Sequence, residues 1–372
     1  MLRIIVCLSV AALIFSGCRS KVPVYYGDAE VIEIPKTVTE SIFDVVDNYR
    51  YIPLNVGGNL AAAIGGIDKV RVFRDKIYVM DNITTHKLLI FDKDGTFLKN
   101  VGRKGRGPQE YVELTTFEID YHREEILIRD NTSEKVLVFG LDGEYKRTLD
   151  CSIWGGGIAV LPNGNIVRGI EGFRTNDKKF GNYKLIILDS DNNILERHCA
   201  TEVRFPSLSQ TFLNPGFDGT VTFAPQMMNE VYRISEGGVE HIYIINFTDM
   251  LDIKEIPDLN NPDNLMDFFQ SPLAQKMRFV GNHADSEDYF CFTYEHNSRR
   301  YTVYYDKKTG LSTVSDDRLC GQNLTFDEEG NVWGSIMETS LFFANAECEK
   351  VAELREAIQK SGNPILVTYT LK

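Results

Sequence analysis

KIYVMDNITTHKLLIFDKDGTFLKNVG, from Lys76 to Gly102, and EILIRDNTSEKVLVFGLDGEYKRTLD, from Glu125 to Asp150, decide the fold because they are copies of one another. Asp81-Asn82 corresponds to Asp130-Asn131 at an offset of 49 residues; Phe91, Gly95 and Phe97 correspond to Phe139, Gly143 and Tyr145 at an offset of 48. Each copy reads as a β-branched strand, a polar turn, a second strand ending in Phe, an Asp-Gly turn and a third strand. Alternating apolar residues bounded by Asp, Asn and Gly are hairpin signals.

The unit recurs with decay. LPNGNIVRGIEG with NYKLIILDSDNNILERH is a third copy, FDGTVTFAP with NEVYRISEGGVEHIYIINF a fourth, EDYFCFTYEH with RRYTVYYDKKTGLSTVS a fifth, and LTFDEEGNVWGSIME opens a sixth. The corresponding strands begin near residues 76, 125, 165, 220, 288 and 331. Repeats of about 40–50 residues with four short strands each mark a β-propeller, here all-β and six-bladed. The terminal strand NPILVTYTLK has no later partner, so Tyr49 to Val56 is expected to close the last blade as its outer strand. Two insertions interrupt the pattern. Asn246 to Lys276 reads as a packed surface excursion, with a lid or partner contact as the alternative. Glu349 to Lys360 has helical spacing with Ser361-Gly362 as its stop.

The N-terminus places Arg3 before an apolar run, Ile4 to Phe15, followed by Ser16-Gly17 and Cys18. That run is shorter than the roughly 20 residues a bilayer span needs and reads as a secretion signal. Its FSGC ending resembles the lipobox of bacterial lipoproteins, with Phe15 where Leu is more usual. The resemblance implies cleavage before Cys18 and lipid on that cysteine. The expected layout is a signal at 1–17, a lipidated linker at 18–45 and one propeller at 46–372. Contact with the membrane is expected through the N-terminal lipid only, at the cell envelope, on the outer membrane and its periplasmic side.

Formal net charge is −13, and loss of Arg3 with the signal makes it −13 − 1 = −14. Nucleic acid demands a basic face, so it is excluded as a partner. Beyond the signal and its cut site, Cys151, Cys199, Cys291, Cys320 and Cys348 are scattered and lack a C-x-x-C pair. They form neither a disulfide framework nor a zinc site.

Between the first two copies lies NVGRKGRGPQEY, Asn100 to Tyr111. It lacks the G-x-x-x-x-G-K-[ST] order of a phosphate loop, and no helical pattern follows. Val101-Gly102, Gly105, Gly107-Pro108 and Tyr111 resemble the glycine-rich link of NHL repeats, and IYVMDN and KLLIFDKDG resemble that family's strands. The whole layout is similar to Gram-negative six-bladed propeller lipoproteins with NHL-like blades, most of whose members lack an established activity. The link is first a connection. Arg103, Lys104 and Arg106 could also ring one face and bind an anion such as a sugar acid or phosphate.

Asp120 and His122 in FEIDYHREE, and His283 and Asp285 in GNHADSED, stand near turns after inner strands. As metal ligands they would need further partners from other blades. Some NHL-type lyases and related six-bladed lactonases hold a channel metal. That resemblance implies, as the alternative to no cofactor, a calcium or zinc ion and metal-dependent lyase or lactonase activity. DKDG, DSDNN and DEEG do not continue into a calcium loop and read as hairpin turns. Trp154, beside three glycines, is a candidate sugar-stacking platform, while Trp333 reads as core. No G-x-S-x-G elbow is present. The expected role is therefore a binding or interaction module for a glycan, a peptide or a partner protein rather than an enzyme.

Overall fold

The computed structural model describes residues 28–39, 41–58, 62–153, 155–170, 183–200, 213–256, 262–341 and 349–372. They form six sheets, each built on four antiparallel strands that run from an innermost strand outward. Blades 1 to 6 begin with the inner strands Lys69–Phe73, Thr116–Asp120, Gly157–Val160, Leu213–Pro215, Arg278–Asp285 and Gln322–Phe326. The second strands begin at Lys76, Glu125, Ile166, Val221, Tyr289 and Val332, within one residue of the spacing read from the repeats.

Each blade is sandwiched between two others, so both faces of its middle strands are dry. In Lys76–Asp81, Ile77 and Val79 pack toward blade 6, whereas Tyr78 and Met80 pack toward blade 2. Double-sided burial explains why IYVM and LLIF are continuous apolar runs instead of alternating ones. Six apolar clusters fill the six gaps between blades. The core is thus a ring around the axis, not a single central mass.

Closure uses the N-terminus. Val46–Pro53 pairs antiparallel with Ile365–Leu371 as the outer strand of blade 6. The chain then crosses to blade 1, where the Asn55 N–H donates to Gly95 O at 2.7 Å and the Phe97 N–H to Asn55 O at 2.9 Å. Gly95 has φ +83°, and a Cβ there would lie 2.3 Å from Pro53 O, so the clasp requires glycine.

One boundary differs from expectation. Within the segment read as linker (18–45), Glu30–Glu33 forms a parallel fifth strand on blade 4 against Gly238–Asn246. Ile32 and Ile34 enter the apolar gap between blades 4 and 5. VIEI is too short for its period to register in sequence, and its partner lies some two hundred residues away.

In the first insertion, Pro262–Gln270 is helical, and Leu251, Ile256 and Phe268 pack with Met227 and Ala274 into a satellite cluster. The second insertion supplies the helix Glu349–Ser361, which buries Val351, Leu354 and Ile358 and stops at Gly362, φ +68°. The Gly-rich stretch is the link from blade 1 to blade 2. Gly102, at φ +62°, slips its backbone between Phe139 and Tyr111, and Tyr111 O accepts from the Gly105 N–H at 2.9 Å. Cys151, Cys291 and Cys320 are free thiols, Cys199 lies beside Tyr232, and Cys348 lies outside the described residues.

Candidate functional site

Antiparallel meanders put the turns between first and second strands on one face of the disc. Three of those turns meet at the axis. Phe73 from blade 1, Tyr121 from blade 2 and Phe217 from blade 4 converge, with ring centroids 4.9 Å apart for Phe73–Tyr121, 4.5 Å for Tyr121–Phe217 and 6.1 Å for Phe73–Phe217. Phe73 is buried, and Phe217 keeps 42% of its surface exposed. The trio caps the channel and turns one aromatic face outward. The Arg74 guanidinium stacks on Phe73 at 5.0 Å.

Charges lie beneath the cap. Glu118 on the inner strand of blade 2 accepts from Lys69 Nζ at 2.6 Å, Arg71 Nε at 2.6 Å and Arg71 Nη2 at 2.9 Å. All three side chains are at most 2% exposed. Burial pushes the Lys69 ammonium down to about 8 despite the attraction of Glu118. Burial also works against the Glu118 charge, yet Arg71 and Lys69 hold that carboxyl below its usual range. The fork on Arg71 satisfies both carboxylate oxygens, which is what makes such a buried cluster tolerable. KVRVF and TFEID alternate charged and apolar residues, as half-exposed strands do. Here the charged side faces the channel, and only ring closure distinguishes that from solvent.

Beside the cap opens a cleft of about 770 Å³ between blades 4, 5 and 6. Phe217 forms its axial lip, and the turns Gly216–Thr220, Ser286–Tyr289 and Asp327–Gly330 form its walls. Seven carboxylates line it, Asp218, Asp285, Glu287, Asp288, Asp327, Glu328 and Glu329, against two cations, Arg233 and Lys307. Some are structural. Asp327 Oδ1 accepts from the Glu329 and Asn331 N–H groups, and its Oδ2 from Trp333 Nε1 at 2.7 Å. Asp285 accepts from Thr222 Oγ1 at 2.8 Å and pairs with Lys307 at 2.6 Å. Others, including Glu328 and Glu329, stand exposed on the rim. A second hollow of about 460 Å³ shares Asp327, Glu328 and Glu329 and extends to Phe73, Arg74 and Arg50. The walls are stiff, because each turn is pinned by one of its own side chains: Asp218 and Asp327 accept from backbone N–H groups of their turns, and Ser286 Oγ accepts from the Tyr289 N–H at 3.1 Å. DKDG and DSDNN behave alike, with Asp92 and Asp189 accepting from backbone N–H groups two and four residues on.

The four candidate metal residues are not brought together. Asp120 is held by the Arg123 N–H and by Arg123 Nη1 at 2.8 Å, and His122 is exposed on the same turn. His283 is buried between blades 4 and 5, with Nε2 3.3 Å from Thr222 O. Burial pushes its imidazole down to about 4, so near neutral pH it is uncharged. Asp285 belongs to the cleft. Among the described residues no group of three or more His, Cys, Asp or Glu side chains is placed to hold a metal.

Arg103 bonds Glu110 Oε1 at 2.5 Å, while Glu110 Oε2 accepts from the Gly107 N–H at 2.7 Å; the glutamate thereby clamps the link. Lys104 and Arg106 are exposed on it. Trp154 lies outside the described residues. Trp333 is buried in the gap between blades 6 and 1. Sequence reasoning missed the aromatic cap, because FDG reads as a hairpin turn and nothing local marks Phe217 as axial.

A Bacteroides fragilis protein described as exported has a similar structure, with TM-score 0.73, 17% identity, and coverage of 92% of this chain and 99% of that one. A Bacteroides vulgatus member of the DUF4221 family matches with TM-score 0.57 and 9% identity over 88% and 97% of the two chains. At these identities the likeness is one of fold. None of the curated proteins matches the chain. The family described as "Domain of unknown function (DUF4934)" matches residues 29–370, nearly the whole propeller with its added N-terminal strand, and the chain belongs to that family.

Proposed function

We propose that the protein is a lipid-anchored binding module of the cell envelope and that its cleft recognises a neutral or amino-bearing saccharide. The observation that carries this reading is Phe217, an aromatic platform turned outward at the lip of a stiff, carboxylate-lined cleft. A pyranose offers an apolar C–H face for such a ring and hydroxyl donors for carboxylate oxygens. The excess of carboxylates over cations disfavours a polyanion. Walls pinned by their own hydrogen bonds lose little freedom on binding. Export and lipidation rest on the segment before Cys18, and the exported description of the similar Bacteroides fragilis protein is in keeping with them.

The test is a glycan array followed by titration calorimetry of the best ligand against wild type and Phe217→Ala. Loss of an aromatic contact worth up to about 1.5 kcal/mol should weaken binding roughly tenfold. An array without a saccharide ligand, or equal affinity in the Ala variant, would sink the proposal. Binding of basic peptides alone would redirect it to peptide recognition by the carboxylates.

A further inference from the structure

Two arginines packed between blades 2 and 3 form no ion pair among the described residues. Arg129 stands on the second strand of blade 2 and Arg168 on that of blade 3, and both are 0% exposed. They converge on one carbonyl: Arg129 Nη2 and Arg168 Nη2 each donate to Ile153 O at 3.1 Å. Arg129 Nη1 also reaches Asp130 O and Lys135 O, and Arg168 Nη2 reaches Gly155 O. Every acceptor is a neutral backbone carbonyl. The adjacent carboxylate, Asp130, is turned away and accepts from the N–H groups of Val112 and Ser133.

Three donors are left over. Arg129 Nε, Arg168 Nε and Arg168 Nη1 are buried with no acceptor. Carbonyls satisfy protons but do not balance charge, and a guanidinium cannot shed its proton to escape burial. Burial, and then the neighbouring Arg168, lower Arg129 to about 10, which still leaves Arg129 charged near neutrality. Apolar side chains such as Leu127, Ile158 and Ile186 line this gap.

We propose that the gap between blades 2 and 3 holds a small monovalent anion, a halide or simple carboxylate, bound by the unpaired N–H groups of Arg129 and Arg168. The same guanidiniums grip Ile153 O and Gly155 O, so the anion fixes the link between these blades to the disc. It acts as a staple. The site lies in a different gap from the cleft and does not depend on what the cleft binds.

Bromide is the probe. Protein refolded in bromide and crystallised should show one anomalous peak per chain between the two guanidiniums, and none at that place when refolded in gluconate. In solution, bromide or formate should raise the melting temperature saturably by a few degrees over gluconate at equal ionic strength. Sulfate and phosphate should act only through ionic strength. Arg168→Met should abolish the saturable part, and Arg168→Lys, which keeps the charge but not the Nη1 donor, should weaken it at least tenfold. Absence of the peak overturns the proposal whether or not the variants fold. An equal response to bromide in wild type and Arg168→Met overturns it as well.

Discussion

Replacing Glu118 with Gln keeps the shape of the channel cluster and removes its only anion. Lys69 and Arg71, both bonded to that carboxylate at 2.6 Å and both fully buried, would then face each other uncompensated. Removing one partner of a buried ion pair costs about 3–5 kcal/mol. The loss should also depend on pH, because Lys69 can escape by deprotonating. In wild type its folded-state value is about 8 against 10.5 in the unfolded chain. Below pH 8 both states hold the proton and stability is flat. Between 8 and 10.5 only the unfolded chain holds it, so stability rises with pH by about 1.4 kcal/mol per unit.

Without Glu118 the folded-state value drops further, and the rising window opens below neutrality. The gap between wild type and Glu118→Gln should therefore narrow by about 1.4 kcal/mol between pH 7 and pH 8. Urea unfolding at the two pH values measures this directly. Lys69→Met is the control: Arg71 still forks onto Glu118, so stability at pH 7 should hold or rise, and the alkaline rise should vanish. A loss under about 1 kcal/mol for Glu118→Gln, or one identical at pH 7 and 8, would refute the reasoning.

His283 is pushed from 6.5 to about 4, so below pH 6.5 the unfolded chain takes the proton first and stability falls. The shift of 6.5 − 4 = 2.5 units corresponds to about 3.4 kcal/mol lost by pH 4, and His283→Gln should flatten that part of an acid titration. Gly102→Ala should cost about 1–2 kcal/mol by urea unfolding, since a Cβ at φ +62° is strained and would press on Phe139 and Tyr111. Truncation before Asn55 removes Ile42, Val46, Ile52 and Leu54 from the gaps flanking blade 6. At about 1.5–3 kcal/mol per side chain that loss rivals the whole stability of a domain, so the truncated chain should be protease-sensitive. Wild-type resistance would show that the ring closes without its clasp.

The architecture was legible because a propeller blade writes its pattern locally. Lys76–Asp81 and Glu125–Asp130 are strands bounded by turns whose residues must be Asp, Asn or Gly, and those signals lie within a few residues of what they control. Closure was legible for a related reason: Ile365–Leu371 had no later partner, and an unpaired edge needs covering. The added strand Glu30–Glu33 escaped because its pairing is with Tyr243 to Asn246, far along the chain.

Charges and aromatics fared worse because their meaning depends on which way a strand faces once the ring has closed. Lys69, Arg71 and Glu118 have the alternation of a solvent-facing strand, yet the side they mark is the dry axis. Arg129 and Arg168 sit within apolar strands, EILIRD and NIVRG, where a lone cation reads as a surface residue on an outward edge. Phe217 makes the point most sharply. It lies 217 − 73 = 144 residues from Phe73 and 217 − 121 = 96 from Tyr121, three and two times the 48-residue offset of the first two copies, but the repeat has decayed too far by the fourth copy for that spacing to mark the residue. They meet because inner-strand turns on different blades converge at the axis. The hairpin turns that build the disc thus also build its cleft: Asp218 and Asp327 pin their turns, and exposed neighbours such as Glu328 and Glu329 supply the rest. A site made this way carries no motif of its own. It is recognised by asking which turns share an end of the ring, and then which of their side chains remain unspent.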